Sequence, residues 1–137
     1  MEISEKHINE SQINEVLRLV KSGSGNVMNI DKEDVERVLV GKEGVLYQTS
    51  QEEDMDNCRF MREFFNELKQ KDEVRTCTSM LICIGMLQEN PLTIGDMGII
   101  NDFLDDIYSE DMEVKWEAKN NPQGERMSLL VVCTKAK

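Results

Sequence analysis

The run Asn29-Ile30-Asp31-Lys32-Glu33-Asp34 reads N-x-D-x-x-D and follows a Gly/Ser loop, Ser22-Gly23-Ser24-Gly25. It places two carboxylates three residues apart at the start of a short helix. Carboxylates held in this way can orient a water molecule or accept a proton. The positive end of a helix also favours negative charge. The same two acids have a purely local use. Asp31 can cap the helix by accepting a backbone N–H, and Asp34, three residues on, complements the first turn. The residues leave both uses open, and the two are compatible. Two acids without histidine, cysteine or further carboxylates hold Mg²⁺ only weakly, so no metal is expected there.

Other chemistry is sparse. The cysteines are Cys58, Cys77, Cys83 and Cys133, none in C-x-x-C spacing, and His7 is the single histidine. That set does not make a zinc site. Cys77, Cys83 and Cys133 lie in apolar, strand-like runs, where a free cysteine acts as a small hydrophobe. There is no P-loop or other glycine-rich phosphate loop, and no cofactor is expected. Arg59, Arg62, Arg75 and Arg126 are scattered. The acids from Glu52 to Asp56, and Asp102, Asp105 and Asp106, read as wet loop and helix faces. Trp116 and Tyr108 read as core or edge residues, and the nine methionines mostly as core filling.

The elements that must position these residues follow from periodicity. Ile8, Ile13, Val16, Leu17 and Val20 suggest an amphipathic helix over residues 4–21, ending at Gly23. Val35, Val38 and Leu39 give the buried stripe of a second helix, capped by Asp31 and stopping near Gly41. Val45 to Thr49 reads as a strand. Asp54 to Lys69 is a helix with Phe60, Met61, Phe64, Phe65 and Leu68 inward. Thr76 to Leu87 is a strand whose apolar core, Met80 to Ile84, implies burial on both faces or a central place. Leu92 and Ile94 lead into a helix carrying Met97, Ile100, Phe103, Leu104 and Ile107. Met112 to Ala118 alternates as a half-exposed strand, with Glu113, Lys115, Glu117 and Lys119 on the wet side. Asn120 to Gly124 is a hairpin-type loop before a buried strand, Ser128 to Thr134. The expected fold is α+β, in the order α-α-β-α-β-α-β-β. It is a two-layer domain whose mixed four-stranded sheet carries its helices mainly on one face.

At 137 residues the chain reads as one domain, 1–137, with a helix at 4–21 and a core at 27–137. Its formal charge is −11, from 16 basic and 27 acidic side chains. That excess disfavours nucleic acid and anionic membrane surfaces, both of which reward Lys/Arg patches. Residues 1–10 carry no apolar leader segment, and a cytoplasmic location with reduced thiols is expected.

The element order, with N-x-D-x-x-D between the first two helices, resembles the C-terminal domain of FtsZ, the cell-division relative of tubulin. Val27 to Val35 is similar to the family's loop and helix start after its long central helix, and residues 4–21 to the last turns of that helix. Ser79 to Leu87 with Leu92-Thr93-Ile94 resembles a strand, turn and helix of the family, and Ser128 to Thr134 its terminal strand. The resemblance implies a non-catalytic protein-interaction module without the GTPase half, unable to bind GTP by itself. In the family the N-x-D-x-x-D loop completes the neighbouring subunit's active site. The resemblance therefore implies that Asn29, Asp31 and Asp34 face a protein partner, either an FtsZ-type filament protein or a second copy. The alternative is a small oligomeric enzyme or ligand-binding domain of chorismate-mutase-like fold, with a site between subunits.

Overall fold

The computed structural model describes residues 1–21, 30–51, 56–87, 91–120 and 126–137. The elements are β1 (Ser4–Asn9), a 3-10 turn (Glu10–Gln12), α1 (Ile13–Lys21), α2 (Lys32–Leu39), β2 (Lys42–Gln51), α3 (Asn57–Leu68), α4 (Asp72–Thr76), β3 (Ser79–Met86), α5 (Ile94–Ile107), β4 (Glu113–Asn120) and β5 (Met127–Ala136). They form a mixed α+β fold with a five-stranded sheet in the order β1-β2-β5-β3-β4.

The topology follows from where β5 lies. It is antiparallel to β2 on one side (Val45 opposite Cys133) and to β3 on the other (Ile82 opposite Val131). Strands β2 and β3 are therefore parallel to each other with β5 between them. The segment β3-α5-β4 is a parallel β-α-β unit, with Ile82 opposite Trp116. The hairpin expected for the last two strands is absent, because β3 separates β4 from β5. A turn signal cannot tell whether the strands it joins will pair or flank a third. That signal spans 120–124, and residues 121–125 lie outside the described residues.

Both faces of the sheet are covered. On one face Val45, Tyr47, Met80, Ile82, Leu129 and Val131 pack with Phe60, Phe64 and Phe65 of α3, Val74 of α4 and Phe103 of α5. On the other, Leu46, Leu81, Cys83, Leu130 and Val132 pack with Val16 and Val20 of α1 and Val35, Val38 and Leu39 of α2. The two-layer expectation is thus corrected to three layers. The cause is the one already visible in Met80 to Ile84: a strand apolar on both sides must be covered on both sides.

The fifth strand is a second correction. Residues 4–9 extend the sheet antiparallel to β2 instead of starting a helix. Ser4 to His7 are exposed and Ile8 is buried, so one apolar residue fits either period. The helix begins later because Asn9 caps it: its Oδ1 accepts from Ser11 N at 2.8 Å, while Gln12 Oε1 accepts from Asn9 N at 2.7 Å. That reciprocal box, N-x-x-Q, was a readable start signal at Asn9.

Two glycines matter for positioning. Gly41, at φ 70°, turns the chain from α2 into β2. Gly44 lies where β2 runs tight against β5, opposite Thr134. A Cβ there would fall against the Cys133 carbonyl oxygen and 2.7 Å from Thr134 Cα, both backbone. Gly44→Ala should therefore destabilise the protein by about 1–3 kcal/mol, the usual range for overpacking. Gly98→Ala should stabilise by about 0.5–1 kcal/mol, because a Cβ in the middle of α5 meets nothing. Chemical unfolding of the two variants checks the opposite signs.

Candidate functional site

The acidic motif is a helix start, and the geometry shows what each acid does. Asp31 is extended, at φ −101°, and its carboxylate accepts from Asp34 N at 2.9 Å. Asp34 Oδ2 accepts in return from Asp31 N at 3.0 Å. This is a complete capping box. Asp34 is also 2.7 Å from Lys115 Nζ on β4, 81 positions further along the chain. Asp34 is buried, whereas Asp31, Lys32 and Glu33 are exposed. Asn29 lies outside the described residues.

The two carboxylates are therefore not equivalent. Burial works to raise the pKa of Asp34. The hydrogen bonds from Lys115 and from the Asp31 backbone outweigh it and hold the carboxyl below its ordinary 3.8. Such an acid is a weak base at neutral pH. On the other side of the pair, the hydrogen bond to Asp34 raises the Lys115 ammonium above its ordinary 10.5. Asp31 is the acid that presents its side chain to the surroundings.

Lys115 is one of three residues that make β4 the anchor for both helices of this layer. Glu117, fully buried, accepts from Ile30 N at 3.0 Å, just ahead of the α2 cap. Its other carboxylate oxygen accepts from the Cys83 thiol at 3.3 Å. Lys119 donates to the carbonyls of Leu19 at 2.7 Å and Val20 at 3.4 Å near the end of α1. A helix C-terminus leaves its last carbonyls unpaired and carries partial negative charge, so an ammonium satisfies both needs. The alternation read in Glu113 to Lys119 is correct, but its polar side is wet only at its start: Glu113 is exposed, Lys115 half-buried, and Glu117 and Lys119 are buried. No local signal marks such pairs, because the partners are remote in sequence.

The remaining residues of interest are dispersed. Arg59 pairs with Glu63 one turn on, at 3.2 Å, and Arg75 donates to the Lys69 carbonyl at 2.7 Å. Arg62 lines a groove of about 470 Å³ between α3 and α5, where Lys69 meets Asp106 at 3.2 Å. Arg126 lines a separate cleft near Cys58 and Asp96. Trp116 is partly buried against the core, whereas Tyr108, expected in the core or at its edge, is exposed at the end of α5. Among the described residues no cluster of three or more His, Cys, Asp or Glu side chains could hold a metal ion, and no helix is long and apolar enough to cross a membrane.

No protein-family model and no curated protein matches the sequence. Comparison with solved structures does find a likeness. A point mutant of FtsZ from M. jannaschii superposes with a TM-score of 0.55 over 93% of this chain, at 19% identity. The fold resembles part of FtsZ. The chain spans 39% of the length of that FtsZ chain, so the likeness concerns a portion of it and the fold alone. The OmpA-like domain of FopA1 from Francisella tularensis aligns over 98% of both chains, but with a TM-score of 0.31 and 9% identity. That is too low to support an argument about fold.

Removing the cap at Asp31 with Asp31→Ala should cost about 1 kcal/mol. Asp34→Ala should cost more, because it also strands Lys115 and the Asp31 N–H. The pH dependence has a fixed sign. The folded pKa of Asp34 is lowered, so its contribution is complete above the unfolded value near 3.8 and is lost as pH falls through the folded value. Between about pH 5 and pH 3, wild type should lose more stability than Asp34→Asn in denaturant titrations.

Proposed function

We propose that this chain is a non-catalytic interaction module of the FtsZ C-terminal-domain kind. It would bind a filament-forming GTPase of the FtsZ type through the exposed start of α2. The observation that supports this reading is the fold likeness to part of FtsZ over 93% of the chain, together with an acidic, exposed helix start at Asp31. The geometry refines the roles. Asp34 serves the domain's own packing through its cap and Lys115. Asp31 is the carboxylate that would reach a partner, flanked by exposed Lys32 and Glu33. A carboxylate offered in this way orients water next to a nucleotide that the other protein holds; it cannot hold a triphosphate itself.

Capping and partner contact can be separated at Asp31. Serine is as good an N-cap as aspartate but carries no charge. Asp31→Ser should keep the stability of wild type within about 0.5 kcal/mol. Sedimentation and GTP turnover of an FtsZ from the same cell, titrated with this protein, provide the test. Wild type should change assembly or turnover in a dose-dependent way, and Asp31→Ser should lose the effect. If neither protein changes either readout at any ratio, the reading fails and Asp31 is a cap alone.

A further inference from the structure

Helix α5 carries more apolar surface than the core uses. Asp96, Ile99, Ile100, Phe103 and Ile107 form its buried arc. Beside that arc a second stripe faces outward. Ile94 is 88% exposed, Met97 38% and Tyr108 63%, with Asn101 exposed and Leu104 half-buried between them. Steps of three and four residues alternate along this line, which is the heptad spacing of a helix–helix seam. At 3.6 residues per turn the five positions share about 80° of the helix surface. Tyr108 is the C-cap and keeps the line, because its N–H donates to the Leu104 carbonyl at 2.8 Å. Asp102 and Asp106 lie on another side of the helix, in the groove shared with α3.

Among the described residues, Ile94 and Tyr108 are the most exposed large apolar side chains, and they mark the two ends of the stripe. The charges along α5 say what fits there. Its C-terminal half carries Asp102, Asp105 and Asp106, whereas the single acid of its N-terminal half, Asp96, is buried. A helix N-terminus also carries partial positive charge. An antiparallel copy of the same helix therefore lays its acidic half beside this positive end, and the reverse holds at the other end. A parallel copy sets acid against acid. In the antiparallel arrangement about a two-fold axis at Asn101, Ile94 meets Tyr108 of the second copy and Met97 meets its Leu104. Asn101 meets its own counterpart. An amide has both donors and an acceptor, so two asparagines satisfy each other. Gly98 then faces Asp105 of the second copy, and a Cβ at Gly98 meets nothing within 4 Å, so the backbone is open to close approach.

We propose that the outer stripe of α5 is a self-association surface, on which a second copy of this chain packs its own α5 antiparallel about a two-fold axis at Asn101. Such a contact is isologous: the same patch serves both copies, and the pair is closed. The apolar ends supply the attraction, and the central amide pair fixes the register. Helix α5 packs on the face of the sheet opposite α2, so the pairing leaves Asp31 out of the contact and does not depend on the reading given for it. The formal charge of −11 on each copy opposes association. At 0.15 M salt, charges separated by more than about 8 Å are largely screened, and the seam itself holds no like-charged pair.

The test is sedimentation equilibrium of the whole chain at that salt, from about 10 μM to about 1 mM. The mass should rise with concentration from 15.8 kDa toward twice that value. Ile94→Glu places an acid at the first position of α5, where it suits the helix dipole, so thermal unfolding of the dilute protein should match wild type. The same change puts a charge at each end of the seam and should raise the dissociation constant at least about tenfold. Asp105→Asn reads the orientation, with Asp102→Asn as the control that removes the same charge away from the stripe. Relative to that control, Asp105→Asn should weaken an antiparallel pair about threefold. A wild-type mass that stays at 15.8 kDa up to the highest concentration overturns the proposal. So does an Ile94→Glu protein that pairs as tightly as wild type, and so does an Asp105→Asn protein that pairs more tightly than the control.

Discussion

The fold depends on β5 lying between β2 and β3. Each of those strands buries apolar side chains on both faces, so neither can end the sheet on the side where β5 pairs without exposing an apolar edge. The strand that joins them is the last in the chain, and it pairs with β2 over ten positions and with β3 over eight. Its side chains serve two cores. Leu129, Val131 and Cys133 face α3 to α5, and Leu130 and Val132 face α1 and α2. The three layers are thus a consequence of one apolar strand with no wet side.

Much of this was readable in the residues, and the failures have separate physical causes. The apolar run Met80 to Ile84 is compatible with a strand covered on both faces or one merely central, and β3 is covered on both, whereas the element order alone suggests helices mainly on one face. The second helical layer was hidden because α1 and α2 precede all but one of the strands they cover. Ser4 to Asn9 carries a single buried side chain, so pairing with β2, not its own pattern, decides that it is a strand. The Asn9–Gln12 box was present as a signal and outranked the weak helical period ahead of it.

At the acidic motif, the cap at Asp31 was legible because capping is local chemistry. The environment of Asp34 was not. Its partner Lys115 lies on a strand that reads as half wet, and nothing in a strand's alternation tells whether its polar side meets solvent or another element. Lys115, Glu117 and Lys119 are instead a column of charged side chains at a helix–sheet boundary. Each meets a backbone group or a carboxylate that burial would otherwise leave unpaired. This divides the motif: one acid is committed to the domain's interior and the other remains at the surface.

Neighbouring residues of β5 couple the two sides of the molecule. Cys133 points toward the α3–α5 layer, and Thr134, the next residue, donates its hydroxyl to the Val38 carbonyl in the last turn of α2. A strand has no slack between adjacent side chains, which leave its backbone in opposite directions. Two consecutive β5 residues therefore tie both helical layers to one backbone, Cys133 on the α3–α5 side and Thr134 at the C-terminal end of the helix whose other end carries Asp31.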